Sequence, residues 1–422
     1  MKVFVTGVEG YIGSLLAPLL MQHGHDVVGT DTGFYRDGWL YSDSKTGSCF
    51  PRFINRDLRN LTEADLSGYD AVIHMAELSN DPLGQNNPAL THRINHAGSV
   101  NLAKNAKRAG VSRFIYTSSC SVYGLGSGDF LTEESPVNPQ TAYAECKTLV
   151  EKDVGQLADD NFSPVFLRNS TAYGGSPRMR FDIVLNNLAG LAWTSKKIAM
   201  TSDGTPWRPL VHVMDICTAI RCALEAPRDN IHNQIFNVGD NAANYRVREI
   251  AEIVAAEFPG CELSMGSSAG DNRSYRVSFD KIQNRLPGFS CAWDAKKGAA
   301  QLHEIFSRIA MDQSGFDFRA FTRLKQLKHL IATQQIDDEF FWEPDRVEML
   351  KRVKQTRKPC LIFKVYGAGR RCGSVSDMRA AMRQVFDYAK PTDCVVVGMF
   401  PKDKEQVREN CGLLIEAARG AA

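Results

Sequence analysis

A tyrosine and a lysine four residues apart could carry proton transfer in this chain. Tyr143 and Lys147 lie in the segment YAECK, and residues at this spacing share one face of an α-helix. A phenol with a pKa near ~10 is a poor base at neutral pH, but a neighbouring ammonium favours the phenolate and lowers that pKa. Ser119 ends an apolar run earlier in the chain and could hold a substrate hydroxyl or carbonyl. The three residues predict acid–base chemistry at such a group.

Three glycines at a spacing of three follow the first apolar run directly. Gly7, Gly10 and Gly13 lie in TGVEGYIG, between KVFVT and a helical pattern. The first glycine allows a tight turn, the second allows close approach of a pyrophosphate, and the third allows the helix to pack against the strand. N–H groups at the start of a helix favour phosphate. The motif therefore predicts a dinucleotide site that includes Tyr11 and Ile12.

The residues at the ends of the next strands indicate which dinucleotide this is. Asp31 follows the second apolar run, and a carboxylate there accepts hydrogen bonds from the adenosine ribose and repels a 2′-phosphate. No arginine follows it immediately, so NAD is predicted rather than NADP. Asp57 and Leu58 are expected either beside the adenine or as the cap of a following turn. Met75 and Ala76 are expected where the dinucleotide passes the fourth strand.

Short apolar runs alternate with helical patterns over the first third of the chain. This alternation predicts a parallel sheet covered by helices on both faces. We therefore expect an α/β protein with a Rossmann-type doubly wound parallel sheet, a smaller α/β substrate lobe and a C-terminal βαβα extension. The predicted domains are 1–170, with 212–240 returning to it, then 171–342 and 343–422. The predicted early strands are Lys2–Thr6, Asp26–Thr30, Ala71–Met75, Arg113–Ser118 and Val165–Arg168.

Composition and charge exclude several other classes of protein. The 422 residues contain 50 Lys and Arg against 48 Asp and Glu, so the net charge of +2 offers no broad basic surface for nucleic acid. No apolar run approaches the ~18 residues needed to cross a bilayer, and no cleavable signal peptide is evident. The 11 cysteines are scattered without a CxxC pair. This pattern predicts free thiols in a reducing cytoplasm and no metal site.

The motifs together resemble those of the extended short-chain dehydrogenase/reductase family. TGVEGYIG, the strand-end Asp31, HMAE, SSCSVYG, YAECK and RPLVHVMD occur in this order over residues 1 to about 342. The sequence is most similar to the NAD-dependent sugar-nucleotide epimerase/dehydratase branch typified by UDP-glucose 4-epimerase. This resemblance implies that Ser119, Tyr143 and Lys147 form a catalytic triad and that Lys147 also binds the nicotinamide ribose. The substrate-binding residues that it implies are Glu77, Thr171, Asn187, Arg208 and Arg273, with Arg208 gripping a diphosphate.

Several positions depart from the family pattern. Relatives that remove water from the sugar carry an Asp-Glu pair just before VYG, but this chain has Cys120-Ser121 there and no evident proton shuttle. Cys120 lies out of register with the cysteine that some epimerases use, so no acid–base role is expected for it. Glu77 replaces the more usual alanine and could bind a substrate hydroxyl or stay solvated. Thr171 stands where many relatives have an asparagine.

The segment after residue 342 does not fit the dehydrogenase pattern. Phe363–Arg370 and Val395–Asn410 resemble the last two βα units of a TIM barrel, whose loops often bind phosphate. Six strands of such a barrel are missing from this chain. The segment could be a second phosphate or effector site, but the sequence favours a remnant or an oligomerisation module.

The sequence as a whole predicts an NAD-dependent epimerase that acts on a nucleotide-diphosphate sugar through a transient keto intermediate. The first alternative is an NAD(H)-dependent reductase or dehydrogenase of a keto-sugar nucleotide. The second is a non-catalytic NAD-binding scaffold. We expect a homodimer in the cytoplasm, with a nucleotide-diphosphate sugar as substrate and with neither nucleic acid nor membrane as partner.

Overall fold

A computed structural model describes most of the chain. The described residues are 1–42, 51–126, 128–267, 273–333, 335–336, 343–362, 365–366, 374–397 and 406–420. They form two compact units: one contains Met1–Phe53 and Asp57–His329, and the other contains Ile54–Arg56 and Leu330–Ala422. Within these residues, we find no helix with both the length and the apolar character that a membrane span requires.

A seven-stranded sheet is the centre of the first unit. Its strand order is β3-β2-β1-β4-β5-β7-β11, and the pairs from β2 to β11 are parallel. This is the order of a Rossmann-type doubly wound sheet. The strands up to residue 277 are β1 (Lys2–Thr6), β2 (Asp26–Asp31), β3 (Arg52–Asn55), β4 (Ala71–His74), β5 (Arg113–Ser119), β6 (Phe130–Leu131), β7 (Ser163–Asn169), β8 (Thr171–Tyr173), β9 (Lys197–Ala199), β10 (Trp207–His212), β11 (Gln234–Val238), β12 (Asn244–Arg246), β13 (Glu262–Ser264) and β14 (Arg276–Val277).

Helices surround this sheet. The α-helices up to residue 332 are α1 (Gly13–Gln22), α2 (Glu63–Leu66), α3 (Asp81–Asn86), α4 (Pro88–Thr91), α5 (Ser99–Arg108), α6 (Ala142–Gly155), α7 (Val184–Thr194), α8 (Val213–Glu225), α9 (Arg228–Ile231), α10 (Val247–Glu257), α11 (Asp280–Arg285), α12 (Ala295–Arg308), α13 (Gln313–Asp317) and α14 (Arg323–Ala332). A π-helical stretch, His92–Gly98, joins α4 to α5. A short 3-10 turn, Cys120–Tyr123, follows β5.

The predicted fold class is confirmed, and the five predicted early strands are present with ends that differ by at most two residues. Val3, Phe4 and Val5 are completely buried, as expected for a strand covered on both faces. The register of the parallel strands brings Thr6 level with His74, and Ser119 level with Asn169. Because parallel strands end at a common edge, the polar residues that follow them collect at one side of the sheet.

Smaller sheets and helices make up the rest of the first unit. The strand orders are β12-β10-β8, β13-β9 and β14-β6. Phe181 is buried against three other aromatic rings, with centroid distances of 4.9 Å to Phe316, 5.8 Å to Phe321 and 5.9 Å to Phe306. Phe181 lies between Arg180 and Asp182, two residues that line the cavity described below. Its packing in this aromatic cluster therefore holds the segment in place.

The second unit has a small core of its own. Its elements are α15 (Glu343–Gln355), β15 (Leu361–Ile362), α16 (Val375–Phe386), β16 (Cys394–Val395) and α17 (Gln406–Gly420), and the two strands are parallel. Met378, Ala381, Met382 and Val385 bury one face of α16. The extension therefore contains the predicted alternation of strands and helices. Most of the Gly-rich stretch after residue 366 lies outside the described residues, so a phosphate site there stays a prediction.

Candidate active site

A cavity of about 650 Å³ opens at the carboxyl edge of the large sheet. It is lined by the ends of β4, β5 and β7, by the first turn of α6, and by residues of the smaller sheets and α7. Its lining includes Tyr143, Lys147 and Ser119. The three residues that the sequence selected for proton chemistry therefore share one cavity.

Helix α6 presents Tyr143 and Lys147 on one face. Its first turn is capped by the Thr141 hydroxyl, which accepts a hydrogen bond from the Ala144 N–H, and Tyr143 is the second helical residue. The Lys147 Nζ lies 5.4 Å from the centre of the Tyr143 ring and donates a hydrogen bond to the carbonyl of Thr117 at the end of β5. Lys147 is only 3% exposed, so its charge acts in a poorly screened environment.

Glu77 lies against this ammonium. Its Oε2 is 2.8 Å from the Lys147 Nζ, and its side chain is 2% exposed. Its other oxygen, Oε1, accepts a hydrogen bond of 2.6 Å from the Tyr116 hydroxyl. The expectation that Glu77 could stay solvated is therefore wrong, because the helix α6 lysine and the strand β5 tyrosine enclose the carboxylate. Its assignment to the substrate stays a prediction, since both oxygens already face protein groups.

The electrostatics of Tyr143 differ from those expected from sequence. Burial raises the pKa of Tyr143 above 10.0, Lys147 lowers it in part, and the Glu77 and Asp81 carboxylates raise it again. For Lys147, burial has the largest effect and opposes the ammonium, but Glu77, Tyr143 and Glu151 together outweigh burial and raise the pKa of Lys147. The ammonium thus acts in the predicted direction. The sequence did not reveal the burial of the phenol or the carboxylate partner of Lys147, and the net effect of the protein is to keep the pKa of Tyr143 above its usual value.

Three serines follow one another around the end of β5. The Ser119 Oγ accepts a hydrogen bond from the Ser121 N–H at 3.1 Å and so caps the 3-10 turn, while it remains at the cavity wall. The Ser121 Oγ is buried, lines the cavity and has no hydrogen-bond partner among the described residues. Ser121 is one of the two residues at which the sequence departs from the family pattern described above, and that departure is the signal that pointed to this position.

Ser118 points the other way, into a buried ion pair. Its Oγ donates a hydrogen bond of 2.5 Å to Glu151 on α6, and the Glu151 carboxylate is 2.7 Å from Arg168 on β7. Both charged side chains are 4% exposed. This group ties together β5, α6 and β7, the three elements that carry Ser119, Tyr143 and the adjoining wall.

Cys120 and His74 are packed residues. The Cys120 thiol donates to the carbonyl of Arg168, and burial raises its pKa to about 12. This agrees with the expectation that it does no acid–base work. His74 is fully buried between the hydroxyls of Thr6 and Ser99, each at 2.7 Å, and burial lowers its pKa to about 3. It is therefore neutral at ordinary pH.

The glycine-rich turn has the shape that a dinucleotide needs. Gly7 adopts φ +77°, and a Cβ at this position would lie 3.0 Å from the backbone nitrogen of Ala76. A Cβ at Gly13 would lie 2.2 Å from the carbonyl oxygen of Gly7. The helix that follows has no side-chain cap at Ile12 and no acidic residue in its first turn, so its N-terminus suits an anion. The residues present fit NAD.

Other predicted cofactor residues lie around this turn. Asp31 accepts hydrogen bonds from the N–H groups of Glu9 at 3.1 Å and Gly33 at 2.9 Å, which fixes the carboxylate at the carboxyl end of β2. The Ala76 N–H donates to the Thr6 hydroxyl at 3.1 Å. Gly10 donates its N–H to the Gly7 carbonyl within the turn. These contacts hold the loops at the ends of β1, β2 and β4 next to one another.

The remaining cofactor candidates fall into two groups. Ile12 and Met75 line the main cavity. Tyr11 is buried and donates its hydroxyl to the carbonyl of Gly174, so it holds the glycine-rich turn against the loop after β8. Asp57 caps the turn that follows it, which is one of the two arrangements expected from the sequence. Its carboxylate accepts a hydrogen bond from the Arg59 N–H, and Leu58 is buried. Contact of Asp57 and Leu58 with the adenine stays a prediction.

The predicted substrate residues all line the cavity. Thr171 and Asn187 form part of its wall, and Asn187 donates to the carbonyl of Phe181. Arg208 donates to the carbonyl of Arg273 and lies 5.9 Å from the centre of the Tyr275 ring. Tyr275 also lines the cavity.

Sequence reasoning missed two carboxylates in the same wall. Asp81 forms an ion pair with Arg273, and Asp182 lies 2.8 Å from Arg180. No sequence motif marks either residue, because both pairings depend on how the chain folds. Arg178, two residues before Arg180, donates to the carbonyls of residues 35, 36 and 38.

The cavity carries more cations than anions. Among its described lining residues, the cationic side chains are Lys147, Arg180, Arg208 and Arg273, and the carboxylates are Glu77, Asp81 and Asp182. The four cations against three carboxylates leave one positive charge in excess. An enclosed site with this balance suits an anionic ligand.

The chain belongs to the NAD dependent epimerase/dehydratase family, whose model matches residues 3–239. It is an NAD-dependent enzyme of the sugar-nucleotide epimerase type or a related one. It is 27% identical over 307 residues to a UDP-glucose 4-epimerase of Corynebacterium glutamicum, a match that covers 68% of this chain and 90% of the relative. A UDP-glucose 4-epimerase of Neisseria meningitidis serogroup B is 28% identical over 345 residues, covering 75% and 99%.

Solved structures agree with this assignment. The structure of MoeE5 in complex with UDP-glucuronic acid and NAD has a TM-score of 0.62 and 28% identity, covering 73% of this chain and 99% of that one. A UDP-glucuronic acid 4-epimerase from Bacillus cereus has a TM-score of 0.61 at 23% identity, covering 73% and 100%, and shows the fold alone.

Proposed function

We propose that this enzyme epimerises a nucleotide-diphosphate sugar through a transient keto intermediate. The observation that carries the proposal is the placement of Tyr143, Lys147 and Ser119 around one cavity beside the glycine-rich turn. At the two positions where the family pattern gives dehydrating relatives an acidic pair, this chain has Cys120, whose buried thiol donates to a carbonyl, and Ser121, whose hydroxyl lines the cavity. This arrangement supports proton exchange at a sugar hydroxyl rather than removal of water.

Each residue has one role in the proposed reaction. Tyr143 takes the proton from the sugar hydroxyl and returns it after the keto sugar has presented its other face. Lys147 stabilises the phenolate through its charge. Ser119 holds the same hydroxyl or carbonyl oxygen by a hydrogen bond. NAD, held by Gly7, Gly10, Gly13 and Asp31, supplies the redox partner for the sugar carbon.

The substrate proposal rests on charge and on relatives. Arg208 and Arg273 both line the cavity, and the planar guanidinium group of an arginine can form two parallel hydrogen bonds to a diphosphate. The solved neighbours at 28% identity were crystallised with UDP-glucose and with UDP-glucuronic acid. We therefore propose a UDP-sugar as the first substrate class to test, with Thr171 and Asn187 lining the sugar pocket.

The decisive experiment incubates the purified protein with a panel of UDP-, dTDP- and GDP-sugars. Products are read by ¹H NMR while the absorbance of reduced nicotinamide is followed. Epimerisation predicts a new sugar diastereomer with no net change in NADH. Tyr143→Phe should slow turnover by about 10²–10⁴-fold, the usual contribution of a positioned acid or base. Tyr69→Phe, which changes a tyrosine outside the cavity lining, is the matched control.

Other outcomes would support the alternatives. Stoichiometric gain or loss of NADH with substrate would identify a net reductase or dehydrogenase of a keto-sugar nucleotide. Unchanged host-pathway activity after Tyr143→Phe would favour an NAD-binding scaffold. Either result would overturn the epimerase proposal.

Two further proposals concern the setting of the enzyme. A reducing cytoplasm is supported by the free cysteines found throughout the described residues. A homodimer is proposed from the family resemblance, in which subunits commonly associate through a four-helix bundle that includes the helix bearing Tyr143. Light scattering on the purified protein gives the oligomeric state, and a monomeric mass would overturn the dimer.

A further inference from the structure

Lys147 has a second neighbour that the proposed Tyr143–Lys147–Ser119 group does not use. Glu77 lies at the end of β4, 70 residues before Lys147 in sequence, yet their charged atoms are 2.8 Å apart. Both side chains are almost completely buried, at 2% and 4% exposure. A buried ion pair of this kind is poorly screened by water, so each charge strongly affects the groups beside it.

The Glu77 carboxylate is itself held in one orientation. Tyr116 donates a hydrogen bond of 2.6 Å to Oε1, and the Ser99 hydroxyl lies at 3.5 Å from the same oxygen. Lys147 is held on its other side by the Thr117 carbonyl and lies over the Tyr116 ring, 4.5 Å from its centre. The carboxylate and the ammonium therefore cannot separate without breaking hydrogen bonds on both sides.

We propose that Glu77 is a positioning residue for the proton transfer at Tyr143. It fixes the Lys147 ammonium and partly compensates its charge. The reaction therefore requires a higher pH than it would if only the tyrosine and the lysine were present. The inference rests on the proposed function. Glu77 need not touch the substrate for this role, because it acts through Lys147. A carboxylate at this position would then set the pH range of the enzyme.

The other charged groups around the site do not take over this role. Asp81 and Arg180 also act on Tyr143, but each has an opposite partner in Arg273 and Asp182. Glu151 faces Lys147 from the same helix and is paired with Arg168. His74 is held neutral by burial. The titratable or charged groups that face the Tyr143–Lys147–Glu77 group are Asp81, Arg180, Glu151, His74, Tyr116 and Cys146.

The first test measures the titration of Tyr143 directly. The ultraviolet phenolate signal is recorded against pH, and the signal of the Tyr143→Phe protein in the same background is subtracted. Glu77→Gln should move the Tyr143 titration to lower pH by about one unit or more, the usual effect of one close charge. Glu145→Gln is the control. It changes a half-exposed carboxylate beside His92 on α6, the helix that carries Tyr143, and should leave the Tyr143 titration in place. An unmoved titration in Glu77→Gln overturns the proposal.

The same variants are then compared in turnover. The ascending limb of kcat against pH should move with the phenol in Glu77→Gln and should return toward the wild-type position in Glu77→Asp, which restores the charge. A purely structural role would lower kcat at every pH without moving the limb. Full activity in Tyr143→Phe would overturn the proposed function itself. If Glu77→Gln is active and the ascending limb of its kcat–pH profile does not move, only the proposed role of Glu77 is overturned.

Because Glu77→Gln leaves a buried ammonium without its counter-charge, we expect this variant to be less stable than the wild type. A double-mutant cycle covers this case through urea unfolding of Glu77→Gln, Lys147→Met and the double variant. If the two charges compensate each other, the double variant unfolds at a higher urea concentration than Glu77→Gln. Additive losses, or a double variant that also fails to fold, would show that the two side chains are not a compensating pair and would overturn the proposal.

Discussion

The ion pair between Glu151 and Arg168 should contribute strongly to the stability of the site. Arg168 Nε and Nη2 contact both carboxylate oxygens at 2.7–3.2 Å, and both side chains are 4% exposed. Ser118 donates to the same carboxylate at 2.5 Å. Burial has the largest effect and opposes the charged guanidinium, but Glu151 and Tyr123 together outweigh burial and hold the pKa of Arg168 above its usual value. The Arg168 guanidinium is therefore held in its charged form beside the Glu151 carboxylate.

Glu151→Gln removes one partner and leaves the guanidinium buried without its counter-charge. The expected cost is about 3–5 kcal/mol of the free energy of unfolding. With a urea slope of about 3 kcal/mol per molar, the unfolding midpoint should fall by about 1 to 2 M. The measurement is urea unfolding followed by circular dichroism at neutral pH.

Two comparisons make this result interpretable. Replacing both partners in Glu151→Gln/Arg168→Met should recover at least half of the loss, because no unpaired charge remains. Asp26→Asn breaks an exposed pair with Arg52, whose side chains are 50% and 72% exposed, and should move the midpoint by less than ~0.3 M. A shift as small in Glu151→Gln as in Asp26→Asn would refute the argument from burial.

Two predictions concern NAD binding, measured by titration calorimetry. Gly13→Ala should abolish binding, because its Cβ would lie 2.2 Å from the Gly7 carbonyl oxygen, whereas Gly412→Ala has nothing within 4 Å and should bind normally. Asp31→Asn should weaken binding about tenfold or more, because one of two charge-assisted bonds to backbone N–H groups is lost together with the ribose acceptor. Asp37→Asn, on an exposed carboxylate of the next loop, should leave affinity unchanged. Normal binding by Gly13→Ala or Asp31→Asn would contradict the assigned cradle.

The fold was predictable because its signals are local. The apolar runs, the glycine spacing around Gly7 and the carboxylate at Asp31 each depend on fewer than ten neighbouring residues and on one kind of geometry. The shared face of Tyr143 and Lys147 follows from helical periodicity alone. These features are the same in any parallel sheet that binds a dinucleotide, so their placement did not require knowledge of distant contacts.

The electrostatics of the site could not be read in the same way. Glu77 and Lys147 are 70 residues apart, and the Asp81–Arg273 pair spans 192 residues. Whether two such side chains meet depends on loop paths that no periodicity encodes. The sequence identified Tyr143 as the acid–base candidate and several of the cationic side chains. It could not show that each carboxylate in the cavity wall would form an ion pair with a cation.

This matching bears on which reaction the cavity favours. Removal of water from a sugar ring needs a carboxylate that can accept a proton from carbon. Burial by itself raises the pKa of Asp182, but Arg180 and Arg323 together outweigh burial and lower the pKa, which makes this carboxylate a weaker base. Asp81 is paired with Arg273, and Glu77 with Lys147. The carboxylates among the described lining residues are all engaged in this way, which supports the proposal that the Tyr143 phenol exchanges the proton with the sugar.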